Sequence, residues 1–226
     1  MNPMDQITRL SRDEFWHQAG HSFRKVFLEG AGMLDVFPGG ISVTDAMFTS
    51  HLDTRRMLPV HAFGIPDDWL TGIASGMKIW GERGFYLGGF GRSPGEPPPF
   101  WYVPIDQIHE IYVGWGHKGY VLDGLPKSFE HFLLSVNGDW ATYLTFDFEF
   151  MAGTRKFIDV VDQFVPSQKE VLAKFLEYWE DSGNTGSNVE WISPMFTHLY
   201  GKDEAQRIIE TMIHTEAIKQ RMLGAL

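Results

Sequence analysis

Residues 129–150 read FEHFLLSVNGDWATYLTFDFEF. At the centre stands Asn137-Gly138, a dipeptide whose two residues tolerate the positive φ that tight hairpin turns require. Upstream, Phe129–Val136 is a dense apolar and aromatic run. Downstream, Asp139–Phe150 alternates as one strand should, with Trp140, Thr142, Leu144 and Phe146 on one side and Ala141, Tyr143 and Thr145 on the other. The pattern predicts two antiparallel strands joined at the Asn-Gly turn. Phe129, Phe132, Leu133 and Val136 also stand at i, i+3, i+4 and i+7, so a helix over 129–136 is the alternative.

Outward from this segment, the preceding residues read as more sheet. Gly84–Phe90, Phe100–Val103, Ile108–Val113 and Gly119–Leu122 are short aromatic or β-branched runs bounded by turn residues. Gly91–Pro99 (GRSPGEPPP) is a loop, because consecutive prolines deny a sheet ladder its donors. Helical signals flank this region on both sides. Ser11 and Glu14 have capping-box spacing and open a helix to about Glu29, with Gly30 and Gly32 ending it. Pro66, Asp67 and Asp68 open a second helix, with Trp69, Leu70, Ile73, Met77 and Trp80 as its apolar stripe. Gly72 and Gly76 on that helix mark close packing or local weakness. Residues 33–64 are irregular, with a short strand near Ile41–Val43.

After residue 150 the chain turns helical, over Lys156–Phe164, from Pro166 to about Asp181, over Trp191–Tyr200 and over Lys202–Leu223. Asp181–Asn188 (DSGNTGSN) reads as a linker. The expected fold is therefore α+β: a mostly antiparallel central sheet flanked by N-terminal and C-terminal helices. Residues 1–181 form the α+β domain, and residues 182–226 form a helical extension packed on it, being too few to fold alone.

Composition bounds the function. Of the 226 residues 43% are hydrophobic and 15% aromatic, with 18 Phe and 8 Trp, which is ample for a core. The absence of cysteine excludes disulfides, thiolate metal sites and a thiol nucleophile. Residues 1–12 lack the apolar stretch of a secretory signal, and no apolar run is long enough to span a membrane, so a cytoplasmic location is expected. A net charge of −10 argues against nucleic acid as partner. The longest basic groupings, Arg55-Arg56 and Arg155-Lys156, read as ordinary surface.

Candidate chemistry is sparse. His17 and His21, four apart on one helix, could share a metal, but no third ligand is evident. His51, Asp53 and His61 share the least regular segment and offer the material for a metal-dependent or small-molecule enzyme. Gly88-Gly89-Phe90-Gly91-Arg92 lacks the lysine and the strand-to-helix setting of a phosphate loop. Asp147 and Glu149, two apart on the expected strand, offer a carboxylate pair or simply that strand's solvent side. No metal or cofactor and no catalytic set is implied.

Leu125–Gly138 (LPKSFEHFLLSVNG) resembles the signature of the SUKH-type superfamily, which contains many bacterial immunity proteins. Gly138-Asp139-Trp140, the strand after it, Gly153 and Phe157-Ile158 also resemble patterns in small bacterial immunity-type proteins. The first pattern implies a helix over Phe129–Val136, the second a strand. The resemblance implies a protein that binds and neutralises a cognate toxin, and the acidic balance suits a basic protein partner. The expected contact residues are exposed acids and aromatics: Trp115, Asp147, Glu149, Glu177, Glu180 and Asp181.

Overall fold

A computed structural model describes residues 6–28, 47–59, 65–89, 100–111, 131–144 and 149–226. Its strands are β1 (Thr8–Leu10), β2 (Thr54–Met57), β3 (Gly84–Gly89), β4 (Phe100–Pro104), β5 (His131–Ser135), β6 (Trp140–Leu144) and β7 (Glu149–Gly153). They form a single antiparallel sheet in the order β1-β4-β3-β5-β6-β7-β2. The fold is α+β, as the segment 129–150 indicates.

That segment supplies the middle of the sheet. β5 pairs with β6 through Phe132↔Tyr143 and Leu133↔Thr142, so residues 131–135 are strand and not helix. The connection is wider than a two-residue Asn-Gly turn. Val136–Asp139 form it, with the Gly138 amide donating to Ser135 O at 3.2 Å and Gly138 at φ +70°. A side chain there would also press on Lys25 Cδ at 3.0 Å and Ser22 O at 3.2 Å, so glycine is required twice over.

Asp139–Phe150 is not one strand. β6 ends at Leu144 and β7 begins at Glu149, antiparallel to it, placing Tyr143 opposite Phe150. A single long strand would outrun β5 and leave backbone donors unpaired, whereas folding back gives β6 a partner on each side. Ile108–Val113 also departs from expectation. Residues Ile105–Ile111 form a 3-10 helix, in which buried Ile108 and Ile111 fall on one side at a three-residue period. The expected strands at Ile41–Val43 and Gly119–Leu122 and the Gly91–Pro99 loop lie outside the described residues.

Helices cover both faces of the sheet. α1 (Arg12–Val26) starts at the Ser11–Glu14 capping box. Its Phe15 stacks on Phe100 at 4.0 Å and meets the edge of Tyr86, while Phe23 and Phe27 pack on Phe132. A Cβ on Gly88 would lie 2.2 Å from Phe132 Cζ, so the strand glycine admits that ring, while Phe90, Gly91 and Arg92 lie outside the described residues. Residue 85 points the other way, since neighbours on a strand alternate. Phe85 packs on Trp140, which stacks on Phe157 of α3 (Arg155–Val161) at 5.5 Å. α2 (Asp67–Ile79) lies against α3, with Gly72 set against Val161 and Gly76 against Phe157, so the two glycines mark close packing.

α4 (Gln168–Asn184) opens with a second capping box at Ser167 and Glu170 and runs into the expected linker. α5 (Ile192–Tyr200) follows. Lys202–Leu223 is two helices, α6 (Lys202–Met212) and α7 (Glu216–Leu223), because the chain is extended at Ile213. Val189, Ile192, Phe196, Ile209, Ile218 and Met222 belong to the same buried cluster as the sheet residues.

Covering both faces buries every strand position of β3 through β7. One charged group caught inside is bonded several times over within the protein. Glu82 is 6% exposed and accepts hydrogen bonds from the Ser135 hydroxyl, from Trp140 Nε1 at 2.8 Å and from the Asn137 amide at 3.2 Å. It ties the start of β3 to both ends of the β5–β6 connection.

Candidate functional site

The expected contact residues separate into three groups. Trp115 and Asp147 lie outside the described residues. Glu149 and Glu180 are buried, at 6% and 8% exposure, and so are not the exposed acids expected. For Glu149 the reason is the doubly covered sheet, which leaves β7 no solvent side. For Glu180 the reason is the later helix. Its carboxylate accepts from the Thr215 amide and from the His214 amide at 3.0 Å, pinning the start of α7 against α4. Burial raises its pKa, but the Thr215 hydroxyl and amide and the His214 amide and imidazole outweigh that and hold it below the ordinary carboxylate value.

Glu177 and Asp181 are exposed on α4. Tyr178 stands with them, 45% exposed, its ring edge-on to Trp179 at 5.3 Å. Positions 174, 177, 178 and 181 share one helical face, so Lys174, Glu177, Tyr178 and Asp181 form a continuous outward strip. Helical spacing alone would have grouped Glu180 with its neighbours in sequence, and only the position of α7 removes it.

Among the described residues the histidines do not converge. His17 and His21 are both exposed on α1. His51 Nε2 lies 3.8 Å from Asp139 Oδ1, and Lys25 Nζ holds the same oxygen at 3.0 Å. Asp53 turns elsewhere, and His61 is outside the described residues. Among the described residues no group of three or more His, Asp or Glu side chains could hold a metal ion. No helix among them is long and apolar enough to cross a membrane.

The two basic doublets that read as ordinary surface in the sequence are brought together. β2 pairs with β7 through Thr54↔Gly153, and α3 begins at Arg155, just beyond that pair. Arg55, Arg56 and Arg155 therefore line one cleft of about 310 Å³ at the edge of the sheet. Asp53, Gln168 and Glu204 share its rim, and Leu172, Leu199, Tyr200 and Ile208 form its apolar side.

The two neighbouring arginines take different partners. Arg56 engages Asp162, with Nε on Oδ1 at 3.1 Å and a terminal nitrogen on Oδ2 at 2.6 Å. Arg55 donates to the carbonyls of His198 and Phe48. Burial, and secondarily the Arg55 charge, pull the His198 imidazole down to about 4, and its neutral Nε2 accepts from the Met47 amide at 3.2 Å. On the free edge of β2 the Gln168 side-chain carbonyl accepts the Met57 amide at 3.1 Å.

This wall holds two polar atoms without partners. Arg55 Nε and Gln168 Nε2 are buried and unbonded, and both residues line the cleft. Such a group costs about 1–3 kcal/mol when nothing satisfies it. Burial also pushes the Tyr200 hydroxyl well above its ordinary pKa, so it stays protonated. Arg155 is exposed and makes no ion pair or side-chain hydrogen bond among the described residues.

No protein-family model, no curated protein and no solved structure matches this chain.

Proposed function

We propose that the chain is a cytoplasmic binding protein of the immunity type, which neutralises a cognate toxin by occupying its surface. The observation that carries this reading is the outward strip of α4, where Tyr178 stands between Glu177 and Asp181 on a helix held rigid by its packed side. Tyrosine is enriched at protein interfaces, because it supplies a large contact area at low entropic cost. The flanking acids and the net charge of −10 favour a basic partner and would speed its capture. The hairpin form of residues 131–144 fits the second of the two immunity-type patterns, in which this run is a strand.

The test is co-expression with the product of the neighbouring gene, and a neighbour that is not toxic would already end the reading. Wild-type chain should protect growth and co-elute with that product as one complex. A Glu177→Arg, Tyr178→Ala, Asp181→Arg variant should melt like wild type yet lose protection. A central tyrosine worth about 2 kcal/mol corresponds to roughly 30-fold in affinity. Persistent toxicity beside the wild-type chain would end the immunity reading, and full protection by the variant would place the interface elsewhere.

A further inference from the structure

The cleft beside β2 is where, among the described residues, an unpaired cation, unbonded buried polar atoms and an apolar wall meet. We infer that it binds a small organic anion, with a phosphate or carboxylate head group against Arg155 and Arg55 and an apolar body along Leu172, Leu199 and Ile208. This goes beyond the toxin-binding reading and does not depend on it.

Charge accounting supports an anion. Arg56 is neutralised by Asp162, and the rim acid Glu204 is held by Arg207 through Nε at 2.7 Å. Among the described residues of the cleft lining, Arg55 and Arg155 then face Asp53 alone, whose Oδ1 already accepts the Thr54 hydroxyl at 2.9 Å. Among the described lining residues one positive charge is left over, in a chain of net charge −10.

Donor chemistry points the same way. The unbonded Gln168 Nε2 and Arg55 Nε are donors only, and the protonated Tyr200 hydroxyl can donate. Gln168 can turn this amide N–H to a head group while its carbonyl keeps the Met57 amide. A guanidinium suits the paired oxygens of a phosphate or carboxylate. The volume of about 310 Å³ stands at the lower end of the roughly 300–1,000 Å³ of small-molecule sites.

The experiment titrates the full chain with inorganic phosphate, phenyl phosphate and benzoate at constant ionic strength, followed by calorimetry. Saturable binding is expected, with phenyl phosphate tighter than inorganic phosphate because only it reaches the apolar wall. The comparison of phenyl phosphate with benzoate assigns the head group. Arg155→Glu should weaken binding by roughly tenfold or more, the worth of one charge-assisted pair. It should leave the unliganded melting temperature unchanged, since Arg155 makes no ion pair or side-chain hydrogen bond among the described residues. Lys156→Glu, the same charge change one residue outside the cleft lining, should leave binding intact. No saturable binding of any of the three anions, or equal losses in Arg155→Glu and Lys156→Glu, would overturn the inference.

Discussion

Replacing Glu82 by alanine removes the acceptor on which the β5–β6 connection hangs. Two of its donors have no second choice. Trp140 Nε1 belongs to a side chain with no exposure, and the Ser135 hydroxyl is equally buried. The Asn137 amide loses less, because Ser135 Oγ accepts it as well at 3.1 Å. Two orphaned donors at about 1–3 kcal/mol each give about 2–6 kcal/mol, and relief of the carboxylate's own desolvation brings the expectation to about 3 kcal/mol. Against a total stability of about 5–15 kcal/mol that is a large share. Urea denaturation at neutral pH, followed by tryptophan fluorescence, measures it through the midpoint at constant slope. Glu82→Gln retains one acceptor oxygen but turns an N–H towards one of the donors, so it should lose about half as much. A loss below about 1 kcal/mol in Glu82→Ala would refute the reasoning, because the three bonds would then contribute no more than a surface contact.

Two further outcomes separate structural from surface roles. Glu180→Ala orphans the His214 and Thr215 amides and should cost about 1–3 kcal/mol, whereas Glu177→Ala should change stability by no more than about 0.5 kcal/mol. Thermal melts of the two variants decide this, and equal small shifts would remove Glu180 from its structural role. His198 imposes a pH dependence. Its folded pKa of about 4 lies below the ordinary 6.5, so its contribution is complete above pH 6.5 and is lost as pH falls through 4. The shift corresponds to about 3 kcal/mol at most, reduced to about 1–2 kcal/mol because the ring is only partly buried. Subtracting the acid titration of His198→Gln from that of the wild type should isolate this loss, and identical profiles would exclude it.

The sequence alone determined what neighbouring residues decide between themselves. The Ser11–Glu14 capping box starts its helix where its spacing places it, because a cap is a bond between residues three apart, and the helix read from Pro166 begins just after it, at the Ser167 cap. The Asn137-Gly138 signal placed the hairpin, since a positive φ at glycine is a local property. Periodicity failed where burial on both faces erased it. Asp139–Phe150 alternates like one strand yet forms two, and Ile108–Val113 is apolar enough for a strand but follows a three-residue period over its described part.

What tertiary structure alone decided is non-local. Glu180 reads as a surface acid until α7 returns across α4 and takes its carboxylate. Arg55-Arg56 and Arg155 stand about a hundred positions apart, and neither group carries a motif. They share a cleft because β2 completes the sheet beside β7 in the register that sets Thr54 against Gly153. That register rests on ladder hydrogen bonds and on packing across the whole sheet, which residues adjacent in sequence do not encode.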